Sequence, residues 1–484
     1  MKLLDQTARE VSSDPVYAEL KRHLVDMTGL AYYLDKDVEL ASHVGRRLDA
    51  LGIADCGSYL EMLLGPCSGP AELDELTTSL TNGETFFFRH QELFDALGRQ
   101  VIPEIIERNR DQRRLRIWSA GCANGAEPYS LSILLERAFG PQLAGWDVTI
   151  VGTDINRDFL VQAQRGEFSD WSLRSMADDL QASCFRRSGN TWTIDDAYRR
   201  GVLFRYHNLV QHPFPALINE LSAFDLILCR NVMIYFAPPI IQRLVGQFHD
   251  CLVPGGWFAV GPAEPNVGLF RAFETVNAAG AVLYRRRQQP TAPNIAWFQA
   301  SPAGALPAVA KTESGSRILA RLPRDKATLA TGARRRQPMP TAAAPREPDS
   351  VIGQALADAR QMLNLGQSAA AADCCQKLMT VEWMNPLVHF YNALVAEHRG
   401  QHGETEQALR RAIYLDRDFV LAHYQLGLVL LRKHDVRGAQ RSFRNVLALL
   451  ERRDAAERFP DADGLSVETL RQLADMQLEI LNCT

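Results

Sequence analysis

The stretch "FDLILCRNVMIYF" (224–236) opens as the apolar run of a strand buried on both faces and then turns to Cys229, Arg230 and Asn231. In an open parallel sheet, ligands bind beyond the carboxyl ends of the strands, so a charge and an amide at that point are placed to meet one. A second stretch, "LRIWSAGCANGAEPYSLSILL", reads as strand, turn and helix, with Gly121 and Gly125 permitting positive φ and close approach of a ligand to the backbone. It lacks the lysine of a triphosphate-binding loop. The third, "DVTIVGTDIN", ends on Asp154, 33 residues after Gly121. A carboxylate there can accept both hydroxyl hydrogens of a ribose, or it can cap the following helix. The glycine turn and the acid together indicate an adenosine-containing cofactor.

These residues need a scaffold. From about Arg114 to Arg287 short apolar strands ("LRIWSAG", "DVTIVGTD", "FDLILCRN", "WFAVGPAE") alternate with helical stretches, which implies a parallel sheet built from crossover units. "TWTI" and "VLFRYH" read as strands of a small antiparallel insertion at about 184–207. Before this lies a helical region in which apolar residues recur three and four apart. After it, residues 288–350 hold nine of the chain's 24 prolines and no sustained periodicity, which marks a flexible linker with a basic run, "RRR", in its second half.

A repeat follows. Ala359, Ala393 and Gly427 are 34 apart, as are Cys375, Leu409 and Phe443. Small residues twelve apart, as Ala359 and Ala371, followed by a larger apolar residue four further on, suit two closely packed antiparallel helices, and the period resembles the tetratricopeptide repeat. The expected domains are therefore 1–97 (helices and connecting segment), 98–287 (sheet), 288–350 (linker) and 351–484, the last with repeats at 352–385, 386–419 and 420–453 and a capping helix. Repeats of this kind imply protein binding in a concave groove, or a purely structural or dimerising role.

Composition excludes other classes. The net charge of −4 is not that of a globally basic nucleic-acid binder, and no apolar run approaches the ~18 residues that span a bilayer. Nine scattered cysteines without a CxxC pair argue against a disulfide framework and a zinc site. The amino terminus lacks the features of a signal peptide, so the expected location is the cytoplasm, with neither nucleic acid nor direct membrane insertion.

In order along the chain, "TNGETFFFRH", "WSAGCANGAEPYS", "VGTDIN", "FRYHNL" and "FDLILCRNVMIYF" resemble the chemotaxis receptor methyltransferase family, over residues 15–287. Members with carboxyl-terminal tetratricopeptide repeats exist. The resemblance implies a Rossmann-like α/β methyltransferase domain behind an all-α domain, S-adenosyl-L-methionine as methyl donor and S-adenosylhomocysteine as product. Thr85 and Arg89 match residues that close over the cofactor; Glu127 matches the acid at its methionine end and Asp154 the one at the ribose. Asn208 and Leu209 match the pair flanking the adenine, and Arg230 and Asn231 the pair after the fourth strand. Gly83 stands where some members carry Asn, so a backbone contact is expected there, and Ala126 replaces a first Glu. Arg89 and Tyr235 are the catalytic candidates, Arg89 to attract a carboxylate and Tyr235 to line the methyl pocket or pack.

The implied substrate is the cytoplasmic helical bundle of a chemoreceptor, methylated on glutamates. A glutamate with a pKa of about 4.3 is already a carboxylate at neutral pH, so positioning rather than a general base is the main requirement. Arg46 and Arg47 on the second helix form either a receptor-facing patch or an ordinary solvated face. The short "SGN" turn of the insertion implies independence from a receptor tethering peptide, with the repeats selecting the partner. Alternative readings are methylation of another protein or a small molecule, and a cofactor-binding repeat scaffold without turnover.

Overall fold

The computed structural model describes residues 8–65, 69–266, 268–288 and 351–483; the linker expected at 288–350, apart from Gln288, lies outside them. The central domain is built on strands β1 (Arg114–Ala120), β2 (Asp147–Asp154), β6 (Val202–Tyr206), β7 (Phe224–Cys229), β8 (Leu252–Val260), β9 (Phe273–Ala278) and β10 (Ala281–Arg286). Between β2 and β6 lie β3 (Glu167–Phe168), β4 (Phe185–Ser188) and β5 (Thr191–Ile194). The main sheet has the order β6-β2-β1-β7-β8-β10-β9, parallel from β6 to β8 with β10 and β9 antiparallel. All six residues of β7 are buried, because helices cover both faces of a parallel sheet. Strand order reverses between β1 and β7, and such a reversal opens a crevice at the carboxyl ends.

The insertion differs from expectation. Its sheet is β3-β5-β4, whereas Val202–Tyr206 pairs parallel with β2 as the edge of the main sheet. Alternating Val202, Phe204 and Tyr206 fit either role, and Arg205, 7% exposed, is buried by a neighbour distant in sequence.

Four helices, Tyr17–Thr28, Asp37–Leu51, Cys56–Leu64 and Gly69–Leu80, form the amino-terminal domain around Leu20, Leu40, Val44, Tyr59 and Leu76, each at most 1% exposed. Each such side chain contributes roughly 1.5–3 kcal/mol by leaving water. Asp55 caps the third helix by accepting the Ser58 N–H at 2.8 Å.

At the other end, helix pairs Val351–Asn364/Ser368–Val381, Pro386–His398/His402–Leu415 and Val420–Arg432/Val436–Leu450 repeat with the 34-residue period, followed by Val467–Cys483. The small residue at the crossing has a direct cause: a Cβ on Gly427 would lie 2.6 Å from the Phe443 ring. The first helices are buried nearly all round, from Val388 to His398 and from Val420 to Leu430, because they lie between the second helices and the sheet domain. Gln425 donates to the Ile218 carbonyl at 2.8 Å, Arg114 to the His398 carbonyl, and Arg205 to Gln477 at 3.4 Å on the last helix. That helix covers β6, an edge that would otherwise offer unpaired backbone groups. The groove face on which a partner was expected is thus taken up by this chain's own sheet domain.

At this seam Glu220, 5% exposed, faces Arg432 at 2.9 Å and Arg205 at 3.7 Å. Arg432 also meets Glu397 at 2.7 Å. Burial raises the Glu397 pKa, but Arg432, His402 and Arg114 outweigh it and bring it down to about 2.

Candidate active site

The crevice at the switch point is a cavity of about 580 Å³. Its floor comes from the β1 and β2 ends, one wall from segment 81–94 after the helical domain, and its mouth from residues 28–39 and 232–236. Thr85, Arg89, Gly121, Glu127, Asp154, Asn208, Leu209, Arg230, Asn231 and Tyr235 all line it. Gly83 does not; its missing side chain makes room for Phe159, whose ring would stand 2.2 Å from a Cβ there.

The Gly121 turn is left-handed, at φ +77°, and a Cβ on it would lie 2.3 Å from Val232. Glycine here serves backbone conformation and the packing of the 230–233 loop. Asp154 accepts the Ala123 N–H at 2.8 Å on one oxygen and the Asn156 N–H at 2.9 Å on the other. The helix that follows is capped by Asn156, which accepts the Phe159 N–H, so Asp154 is not the cap. Each Asp154 oxygen retains a lone pair for a ribose hydroxyl. Burial raises the pKa of this carboxyl against the lowering effect of those N–H groups.

Glu127 accepts from Ser119 Oγ and from Arg230 Nη1, each at 2.7 Å. Arg230 Nη2 donates to the Arg89 carbonyl at 2.6 Å, so the ion pair ties the connecting segment to the sheet. Asn208 is mainly structural: its Nδ2 donates to the Met27 carbonyl at 3.2 Å and its Oδ1 accepts the Val210 and Gln211 N–H groups. Arg89 donates through Nη1 to the Glu84 carbonyl at 2.7 Å and lies over the Phe86 ring. Tyr235 is half-buried, with its ring edge-on to Tyr32 at 6.0 Å between centroids.

Sequence reasoning missed Glu264. Its carboxylate accepts the N–H groups of Asn231 (2.9 Å), Val232 (3.1 Å), Met233 (3.0 Å) and Gly261 (2.6 Å). It thereby holds Asn231 at φ +58°, a conformation that costs a non-glycine residue about 1 kcal/mol or more. An acid just beyond a central strand, in "GPAE", was the available signal. His207 was missed too: it lines the cavity with both ring nitrogens buried and unpaired among the described residues. Burial, then His212, lowers its pKa well below the usual value, so it stays neutral.

Of the two docking candidates on the second helix, Arg47 is committed inward. It grips the buried Glu72 with Nε at 2.8 Å and Nη2 at 2.6 Å, a bidentate pair, while Arg46 is exposed and bonded to His43. Cys56, Cys122, Cys184, Cys229, Cys251, Cys374 and Cys375 are buried and form no disulfide, and no cluster of metal-binding side chains occurs among the described residues.

The geometry fits an adenosine-bearing amino acid. Asp154 offers acceptors for a ribose, Glu127 a negative charge for an ammonium group, and His207 unpaired nitrogens near the Asn208-Leu209 end. The comparisons agree. The family model "CheR methyltransferase, SAM binding domain" matches residues 83–281. A chemotaxis protein methyltransferase 1 of Pseudomonas aeruginosa is 30% identical over 276 residues, covering 56% of this chain and 97% of that one. A chemotaxis protein methyltransferase of Listeria innocua is 35% identical over 192 residues, 40% of this chain and 69% of that one. A probable biofilm formation methyltransferase, WspC, of Pseudomonas aeruginosa is 27% identical over 409 residues, 82% of this chain and 90% of that one. The chain belongs to the CheR family of chemotaxis protein methyltransferases, enzymes that use S-adenosyl-L-methionine.

Proposed function

We propose that this enzyme methylates glutamate side chains in the cytoplasmic helical bundle of a methyl-accepting chemoreceptor or a related sensory receptor. The products are a glutamyl methyl ester and S-adenosylhomocysteine, and the role is adaptation in chemosensory signalling within the cytoplasm. One observation carries the reading. Two arginines line the cavity, and Arg230 is paired with Glu127 at 2.7 Å, whereas Arg89 meets a carbonyl and the Phe86 ring but no carboxylate among the described residues. Glu39, Glu84 and Asp154 also line the cavity, so the positive charge is local to Arg89, where it can meet a carboxylate brought beside it.

The bound cofactor supplies an already activated methyl group. The protein's part is placement, which can supply roughly 7–11 kcal/mol in favourable systems. Asp154, Glu127 and the 230–233 loop fix the donor end; Arg89 draws in the carboxylate, and Tyr235 and Phe236 border the space where it arrives. The acceptor is ionised at neutral pH, so no side chain need remove a proton.

The repeats are assigned to partner selection, through their second helices. Arg411, Arg441, Arg444 and Tyr414, the last 74% exposed, stand on that outer surface. The match with the biofilm formation methyltransferase extends over 82% of this chain and supports a pathway that governs surface growth. The short turn of the β4–β5 hairpin supports independence from a tethering peptide.

Transfer of tritiated methyl to receptor cytoplasmic fragments, with base-labile release as the mark of a carboxyl ester, tests the assignment. Base-labile label that disappears in Arg89→Ala is the expected result. Label that resists base, or no label on any receptor, refutes the glutamate reading.

A further inference from the structure

The cavity mouth is apolar although its interior is charged. Tyr32 is 41% exposed, Leu34 45%, Val38 57% and Ile234 49%. They come from two segments that meet at a backbone bridge between Leu30 and Phe236 and at the Tyr32–Tyr235 ring contact. Tyr32 and Ile234 line the mouth itself. Leu34 and Val38 lie two and six residues beyond Tyr32, and the Tyr32 hydroxyl reaches back to Glu39, the residue after Val38, at 3.4 Å. Single exposed apolar residues are ordinary; Tyr32 and Ile234 at one opening, drawn from two domains, with Leu34 and Val38 exposed further along the Tyr32 segment, form an apolar surface that excludes water when covered.

The occupant follows from the opening. A carboxylate that reaches Arg89 through this mouth lays the backbone carrying it on the mouth. If that segment is helical, the residues three and four positions from the acceptor share its face. We propose that this apolar collar is a specificity surface, selecting acceptor glutamates whose helix presents an apolar side chain within one turn. The inference rests on the receptor-glutamate reading and narrows it to a substrate class.

The test uses the full-length protein and a methylated receptor fragment. Leu34 and Val38 do not line the cavity, so the double variant Leu34→Ser/Val38→Ser leaves the cofactor site intact. The expected result is a KM for the fragment raised about tenfold, with kcat and S-adenosylhomocysteine affinity unchanged. Replacing the apolar neighbours of the acceptor by Ser raises the wild-type KM to a similar degree, and combining both changes adds little, because each removes the same contact. Apolar contact is unscreened, so the ratio of the variant's KM to the wild type's should be the same at low and high salt. An unchanged KM in the double variant overturns the collar while leaving the methylation reading in place; absence of ester formation by the wild type removes both.

Discussion

The two ends of the same strands have opposite fates. β1 starts at Arg114, in the seam with the helix pairs, and ends at Ala120, beside the Gly121 turn; β2 starts at Asp147 in that seam and ends at Asp154 in the cavity. At the amino ends, buried charges pair with one another: Glu220, Glu397, Arg432, Arg205 and Arg114 answer each other or a carbonyl. At the carboxyl ends, charges are held by backbone and left with capacity to spare, as in Asp154 with its two N–H partners. Burial of charge thus distinguishes nothing by itself. Unpaired hydrogen-bonding atoms do not distinguish the ends either, since Asn219 and Glu220 in the seam keep some; what marks the functional end is that such capacity, in Asp154 and His207, faces the cavity.

The largest expected effect is at the seam. Glu220→Ala leaves Arg432 and Arg205 buried with a partner missing, which costs about 3–5 kcal/mol and is read by chemical denaturation. Activity per folded molecule should not change. Equal stability of the variant would mean that the repeats do not dock as described.

Acid comes next. Burial lowers the pKa of His398 in the seam well below the usual value, and that of His212 beside the cavity to about 4. For a base depressed on folding, stability is fully present above the unfolded value of about 6.5 and is lost as pH falls through it, for His212 down to about 4. Between pH 7 and 5 each residue should cost roughly 1–2 kcal/mol of stability. His398→Gln should flatten the melting-temperature profile in that window; a profile as steep as the wild type's would assign the acid sensitivity elsewhere. Glu397 acts lower, with stability lost from about 4.5 down to about 2.

A smaller effect belongs to Glu264. Glu264→Gln keeps the shape but turns an amide N–H₂ towards one pair of backbone donors, and S-adenosylhomocysteine affinity should drop about tenfold with little change in melting temperature. Unaltered affinity would show that the loop holds Asn231 without it.

The carboxyl ends were legible in the sequence because their chemistry interrupts apolar runs: Asp154 after "VTIVGT" and Arg230-Asn231 after "FDLIL". The repeat was legible because a 34-residue period needs no knowledge of partners. The seam was not, since Glu220 and Arg432 are far apart in sequence and each reads as a surface charge. Arg46 and Arg47 look alike in the chain, yet the helical turn of about 100° between them sends one to solvent and the other to Glu72. Glu264 binds backbone N–H groups, which leave no side-chain signature to pair it with.

The most direct test is calorimetric titration of S-adenosylhomocysteine into Asp154→Ala and Glu220→Ala, with the melting temperature of each. About a 100-fold loss of affinity is expected in Asp154→Ala, with a melting temperature lowered less than in Glu220→Ala, and wild-type affinity in Glu220→Ala. Cofactor affinity lost in Glu220→Ala and kept in Asp154→Ala would contradict the division of the strands into a binding end and a docking end.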